Sequence, residues 1–253
     1  MDIYIIGSGT CVPSLRRASP ALAIKIDHKT LLFDGGSGTL RQLLRVGIHL
    51  QEIDYLLYTH FHPDHTGDLV HFLFASKYAP AYQREKPFFI VAPTGFIEFY
   101  ERLKGAYREW IVPKEGLMKI IEMDTTRNSA KKFENFAVYT CPIRHTENSI
   151  GFRIEAKGRA VVYSGDSDYC DELVRLAKDA DVLICESAFP NGMKVNGHMT
   201  PSLAGKIGTL ARCKKLILTH FYPVCDQHDI YGQCRKEYKG ELIIAEDLMK
   251  ISV

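Results

Sequence analysis

Thr59-His60-Phe61-His62-Pro63-Asp64-His65-Thr66-Gly67-Asp68 packs three histidines and two aspartates into ten residues. Imidazole nitrogens and carboxylate oxygens gathered this densely suit zinc, manganese or iron better than calcium or magnesium. The preceding run, Ile53 to Tyr58, is apolar and reads as a buried strand. In an extended segment side chains two apart share a face, so His60 and His62 can converge on one cation. Pro63 then turns the chain, Gly67 permits a close approach or an unusual dihedral, and Asp68 is placed to cap a helix that follows. Asp64 and His65 therefore point toward a second position beside the first.

Four ligands from one loop cannot complete two metal sites, so others must come from elsewhere in the chain. His145 follows a strand ending at Cys141, Asp166 follows one ending at Ser164, and His220 follows the strand Leu216 to Thr219. Strand ends are where α/β sheets usually place their ligands, which makes these three the candidates.

Groups so far apart in sequence meet only if a sheet delivers them to one edge. Short apolar runs alternate with helix-like segments and no low-complexity linker intervenes, which predicts one α/β domain over residues 1–253. Ile3 to Ile6 reads as a strand, Ala21 to Ile26 and Thr30 to Asp34 as a hairpin around Asp27-His28-Lys29, and Gly38 to Val46 as a helix stopped by Gly47. Phe88 to Ala92 is a further strand and Gly95 to Trp110 an amphipathic helix. Leu117 to Met123, Phe133 to Cys141, Ser149 to Glu155 and Arg159 to Ser164 complete a run of strands, the last two joined by a turn at Ala156-Lys157-Gly158. Leu56 to Pro63 is echoed by Ile217 to Pro223, and Leu31 to Ser37 by Val161 to Ser167, which suggests two related halves.

Composition removes several classes. With 46% hydrophobic and 25% charged residues the 253-residue chain sits near the globular average, which excludes disordered, collagen-like and coiled-coil proteins. A net charge of +2 leaves no footprint for strong sequence-independent nucleic-acid binding. Seven cysteines without framework spacing predict reduced thiols and a cytoplasmic protein; Cys225, His228 and Cys234 fit no standard zinc pattern. Met1 to Gly7 lacks the features of a signal peptide, and the longest compact apolar run, Phe88 to Ala92, is far short of a membrane span.

The order HxHxDH at His60 to His65, followed by His145, Asp166 and His220, resembles the metallo-β-lactamase fold superfamily over essentially the whole chain. The resemblance implies a four-layer αββα sandwich with a two-metal site at one edge. It assigns His60, His62 and His145 to one metal, Asp64, His65 and His220 to the other, and Asp166 as the bridge. True β-lactamases of this fold commonly have cysteine where Asp166 stands, so the resemblance points to phosphodiester or thioester hydrolysis. Gly7-Ser8-Gly9-Thr10-Cys11-Val12-Pro13 with Arg17 and Ser19, then Phe33-Asp34-Gly35-Gly36-Ser37-Gly38-Thr39, resemble the N-terminal pattern of the ribonuclease Z family. So do Asp181 to Ala188 followed by Gly197-His198-Met199-Thr200. That likeness implies that Glu186 holds His198 as the acid for the leaving oxygen, that Asp64 orients or deprotonates the nucleophile, and that Asp34 shapes the metal loop. It also implies a homodimer, with Phe72 to Tyr82 as the contact. Only 20 residues separate His145 from Asp166, where tRNA-processing members often carry a tRNA-gripping arm, and Leu73 to Tyr78 lacks the expected Gly-rich stretch.

The expected function is a ribonuclease Z-like phosphodiesterase that uses two divalent ions, zinc foremost, with manganese or iron as alternatives. Its partner would be an anionic phosphodiester, in RNA or a small nucleotide, and no membrane. Arg16-Arg17, in a loop near the metal edge, is placed to meet phosphate. The alternatives are a thioesterase or lactonase of the same fold, and a non-hydrolytic iron-binding redox module.

Overall fold

Alternation along the first strands assigns their side chains to two layers. In β1 (Asp2–Gly7), Ile3 and Ile5 join one buried cluster and Ile6 another. β2 (Ala21–Ile26) divides Leu22, Ile24 and Ile26 from Ala21 and Ala23 in the same way, and β3 (Lys29–Phe33) divides Leu31 and Phe33 from Leu32. Both faces of this sheet are therefore covered, as a strand apolar on both sides requires. The structure is a computed structural model and describes residues 1–78 and 83–253.

After β3 the chain alternates helix and strand through α1 (Thr39–Arg45), β4 (Ile53–Leu57), the short α2 (Pro63–Thr66), α3 (Leu69–Tyr78), β5 (Phe88–Pro93), α4 (Phe96–Tyr107) and β6 (Met118–Met123). The second half opens with the meander β7 (Ser129–Lys132), β8 (Ala137–Pro142), β9 (Ile150–Ala156) and β10 (Arg159–Tyr163). It continues through α5 (Asp171–Leu176), β11 (Val182–Glu186), α6 (Pro201–Ala211), β12 (Lys215–Thr219), α7 (Ile230–Arg235) and β13 (Glu241–Ile244), and β14 (Lys250–Ser252) returns to pair with β1. The first sheet runs β14-β1-β2-β3-β4-β5-β6 and the second β13-β12-β11-β10-β9-β8-β7. Each is antiparallel up to β3 or β10 and parallel beyond it. Leu43, Phe72, Leu73 and Phe96 pack α1, α3 and α4 on the outer face of the first sheet. The other cluster fills the space between sheets, where Phe33 meets Phe152 edge-on, and continues beneath the second helical layer through Leu173, Ala204, Ile207 and Cys234. The order is helix, sheet, sheet, helix, the αββα sandwich expected. Among the described residues no helix is long and apolar enough to cross a membrane.

Hydrogen bonding reveals the two halves more clearly than the sequence echoes do. Asp54 in β4 accepts the Thr30 N–H at 3.0 Å and pairs with Lys29 and Lys86. Asp181, just before β11, accepts the Ala160 N–H at 2.8 Å and pairs with Arg159 and Lys214. At the other end of the same strands, Asp34 N–H bonds Leu57 O and Ser164 N–H bonds Ile184 O. Equivalent strands are therefore β3 and β10, β4 and β11, β5 and β12. The echo of Leu31–Ser37 in Val161–Ser167 matches this equivalence. The echo of Leu56–Pro63 in Ile217–Pro223 sets β4 against β12, whose counterpart is β5; the two histidine-bearing ends are alike because both open on one edge, not because they are copies.

Two expected elements differ. The strand expected over Phe133 to Cys141 begins only at Ala137, because the Phe133 N–H bonds Phe136 O and the two rings stack in a turn against Tyr55. Ser129–Lys132, with no apolar alternation to mark it, forms the lysine-bearing edge strand β7. The helix expected from Gly95 to Trp110 ends at Tyr107 and tightens into a 3-10 turn over Arg108–Ile111.

The Asp181 carboxyl is drawn down to about 2: burial opposes ionisation, and the Lys214 ammonium, the Ala160 N–H and Arg159 outweigh it. A carboxyl whose pKa is lowered on folding contributes stability above its unfolded value of about 3.9, and that stability is lost as pH falls through the folded value. Asp181→Ala, which also leaves the Ala160 N–H unpartnered, is expected to cost about 1–3 kcal/mol at neutral pH. In thermal melts the difference from the parent should narrow below about pH 4; a difference constant with pH would refute the ion pairing.

Candidate metal centre

The loop after β4 is held from beneath by Asp34, which follows β3 in a left-handed conformation at φ 54°. Its carboxylate accepts the Thr59 N–H at 2.8 Å, the Thr59 hydroxyl, the His65 Nδ1–H at 2.8 Å and the Tyr163 hydroxyl at 3.1 Å. The Thr59 hydroxyl gives its only hydrogen to Asp34, so it accepts from His60 Nδ1 at 3.0 Å. His145 Nδ1 donates to the Gly197 carbonyl at 2.9 Å. Each of these bonds places the ring hydrogen on Nδ1 and leaves an Nε2 lone pair for a ligand.

Glycines let the loop lie this close. A Cβ on Gly36 would stand 1.9 Å from the Asp64 carbonyl oxygen. Gly67 serves close approach rather than an unusual dihedral: its φ is −56°, and a Cβ there would meet Pro63 O at 2.9 Å. Asp68 does not cap α3, the helix it precedes. Its carboxylate crosses to the start of α1 and accepts the Gly38 N–H at 3.1 Å and the Leu40 N–H at 2.8 Å. That reach exists because Gly35 is already laced to this loop, N–H to His65 O and carbonyl to Asp68 N–H.

All seven residues singled out as ligands stand at this edge in two sets. In the first, His62 Nδ1 lies 3.0 Å from His60 Nε2 and 3.1 Å from His145 Nε2, and Asp166 Oδ2 lies 3.9 and 3.8 Å from those two Nε2 atoms. In the second, Asp166 Oδ1 stands 3.3 Å from His65 Nε2 and 3.2 Å from His220 Nε2, while Asp64 Oδ2 stands 3.9 and 3.8 Å from the same nitrogens. Ligand atoms around a four-coordinate zinc with bonds of about 2.0–2.1 Å lie roughly 3.4 Å apart, so both sets fit one ion each. Asp166 belongs to both through different oxygens. His65 Nε2, Asp166 Oδ1 and His220 Nε2 are buried and make no hydrogen bond; buried polar atoms rarely go unpaired, and a cation is what such a donor set accepts.

The charges agree. Burial, with His65 nearby, holds the His60 imidazole well below its usual range, and burial lowers His145, so both are neutral as ligands must be. Asp166 is held well below the usual carboxylate range: burial opposes this, and His220 and His65 outweigh it. His220 adopts φ 59°, a left-handed turn directly after β12 that brings its ring back over the edge.

Beside the two sets, His198 Nδ1 donates to Glu186 Oε1 at 2.9 Å. The buried Glu186 also accepts the N–H groups of Ser167, Ala188 and Met199; burial raises its carboxyl above the usual range, and the hydrogen bond from His198 works against that rise. Burial would lower the His198 imidazole, yet the Glu186 carboxylate raises it above its ordinary value. Its ring lies 4.9 Å from that of His145 and 5.7 Å from that of His220, beside both sets. Thr200 occupies the cap position before Pro201 without a side-chain bond to the helix.

Arg17 departs from expectation. It is buried, its guanidinium bonds Asp226, the Ser8 hydroxyl and the Ala245 carbonyl, and it lies over Phe221, so it ties the loop to the sheet and cannot meet phosphate. Arg16 stays exposed beside Asp226. Cys225 and Cys234 are free thiols in the core and His228 bonds the Val224 carbonyl, so this trio forms no site. Sequence reasoning missed Tyr163, whose hydroxyl reaches Asp34, and the stacked pair Phe189 and Tyr222, whose rings lie about 6 Å from His198; strand-end aromatics look like core, and nothing in their spacing marks them.

Residues 29–221 match the family described as the Beta-lactamase superfamily domain. Ribonuclease Z of Thermobifida fusca is 26% identical, covering 100% of this chain and 94% of its own length. Zinc phosphodiesterase ELAC protein 2 of Mus musculus is 29% identical over 99% of this chain, which spans 33% of that longer protein. The crystal structure of the metallo-beta-lactamase fold protein YhfI from Bacillus subtilis superimposes with a TM-score of 0.85 at 24% identity, covering 99% of this chain and 98% of the other, a likeness of fold. By these matches the chain belongs to the β-lactamase superfamily, in its ribonuclease Z-like branch.

Proposed function

We propose that this protein is a phosphodiesterase that cleaves phosphodiester bonds in RNA or small nucleotides at a centre of two divalent ions, zinc foremost, with residues 1–253 acting as one catalytic unit. His60, His62 and His145 would hold one ion and Asp64, His65 and His220 the other, with Asp166 facing both sets. Divalent ions bound there would supply a more acidic water and polarisation of a phosphoryl oxygen. Asp64, at the rim of its set, orients the nucleophilic water and takes its proton. His198 keeps its Nδ1–H on Glu186 and delivers the proton of Nε2 to the departing oxygen. The observation that carries this reading is the Glu186–His198 pair at 2.9 Å beside both ligand sets. A thioesterase or lactonase would use the same ligands without needing that pair. The relatives' names, ribonuclease Z and zinc phosphodiesterase, favour hydrolysis of phosphodiesters over an iron redox role. The seven unpaired cysteines suit a reducing compartment such as the cytoplasm.

A homodimer belongs to the same reading. Phe72 is a core residue, so the contact would begin at Phe74, which clusters with Tyr78 and Trp110 on the surface; residues 79–82 of the expected contact lie outside the described residues. Sedimentation should give twice the chain mass, and a monomer at micromolar concentration would remove this part.

Metal analysis should find about two equivalents of transition metal. His60→Ala and Asp166→Ala are expected to lose metal and activity together, and chelation should abolish activity that added zinc or manganese restores. Metal content unchanged in His60→Ala would sink the ligand assignment. His198→Ala should lose about 10²–10⁴-fold in kcat on RNA, whose alkoxide leaving group needs a proton, and far less on a bis-aryl phosphodiester, whose phenolate does not. Equal losses on both substrates, or none on either, would overturn the acid role.

A further inference from the structure

The segment that carries His198 is fastened at its middle by a residue with no part so far. Asp168 lies two residues beyond Asp166, and its side chain is nearly buried. Its Oδ2 accepts the Lys194 ammonium at 2.6 Å and the Gly197 N–H at 3.3 Å, and its Oδ1 accepts the Tyr169 N–H at 2.7 Å. Its own N–H donates to the Arg144 carbonyl at 2.8 Å, immediately before His145. The 191–198 segment is otherwise tied at its start, where the Asn191 N–H bonds Gln233 Oε1 and the Asn191 amide meets Ser202, and at its end, where His198 meets Glu186. Between those ties, two side chains from outside hold it among the described residues, Asp168 at Lys194 and the Gly197 N–H and His145 at the Gly197 carbonyl.

We propose that Asp168 is a positioning residue that sets two groups at once: the His145 ligand, through the Gly197 peptide, and the His198 proton donor on the next residue. The peptide of Gly197 is the shared part. Its N–H is held by Asp168 and its carbonyl accepts His145 Nδ1–H, so the carboxylate fixes the plane of a peptide that in turn fixes the tautomer and direction of an imidazole. Gly197 has φ 84°, and a Cβ there would stand 3.3 Å from His145 Nδ1, so this contact needs glycine and leaves the peptide no side chain of its own to anchor it. Lys194 closes the arrangement, bonding Asp168 and the Val195 carbonyl together. Because the Asp168 backbone is bonded to the residue before His145 and its side chain to the residue before His198, displacement of one group carries the other with it.

This inference rests on the proposed roles of His145 and His198, and its test separates the two. Zinc affinity is measured on the full chain by competition with a chromophoric chelator, and the His145 ring hydrogen is followed by proton–nitrogen correlation spectra of the metal-free protein. Asp168→Ala is expected to weaken zinc binding about tenfold, as outer partners of metal-binding imidazoles commonly do, and to abolish the slowly exchanging His145 Nδ1 proton. Asp168→Asn keeps an acceptor for Gly197 N–H but no charge for Lys194, so it should fall between the parent and the alanine variant; it carries the test should Asp168→Ala fail to fold. Asp168→Ala, or in its place Asp168→Asn together with Lys194→Met, with parent-like zinc affinity and an unchanged His145 signal would overturn the role. If His60→Ala loses zinc while the Asp168 variants keep it, only this inference fails. If His60→Ala keeps zinc as well, the ligand reading fails with it.

Discussion

A single buried carboxylate joins the parts of this molecule that have to agree. Asp34 belongs to the end of a strand in the first sheet, yet it accepts hydrogen bonds from the histidine-bearing loop through Thr59 and His65 and from the second sheet through Tyr163. Removing it would strand several donors at once in a place water does not reach, and unpartnered buried donors are costly. The carboxylate also decides chemistry at a distance, since the hydrogen it draws onto His65 Nδ1, and through Thr59 onto His60 Nδ1, frees the opposite nitrogens. Packing of the two half-sandwiches and presentation of the imidazoles are thus one event.

The edge that results is poorly satisfied by the protein alone. Imidazole nitrogens face one another at hydrogen-bond distance and buried oxygens and nitrogens lack partners. Elsewhere in the fold the buried carboxylates Asp54 and Asp181 have full complements of lysine, arginine and backbone N–H. A chain that satisfies such groups at one end and leaves them open at the other has its local conflict where function resides.

Much of this was legible in the sequence, for identifiable reasons. His60, His62, Asp64 and His65 are near neighbours after an apolar strand, so their relation is set by strand geometry alone. His145, Asp166 and His220 could be found because each stands just past a strand end. What was not legible depends on segments that meet only in three dimensions. Asp68 looked like the cap of its own helix and serves α1, Arg17 looked like a surface cation and is bound to Asp226 and Ser8, and Asp168 bears no motif at all. Strand β7 was missed since an edge strand of lysine and serine has no apolar rhythm, and the match of β4 to β12 went astray since both end in Thr-His-Phe.

The paired clasps at Asp54 and Asp181 bear on how such a molecule could have arisen. At that end of the sheets the halves remain near-duplicates, with an acidic residue, a basic residue at the head of the neighbouring strand and a lysine before the next one. At the opposite end they have parted company: Thr59, beside the imidazole cluster, occupies the place that Glu186 fills in the other half. An ancestral doubling of one half-sandwich would leave this asymmetry, because the clasp end answers only to folding and can stay the same. In this chain the backs of the two sheets are therefore held by the same arrangement of ion pairs and hydrogen bonds, while the open edges are left to differ.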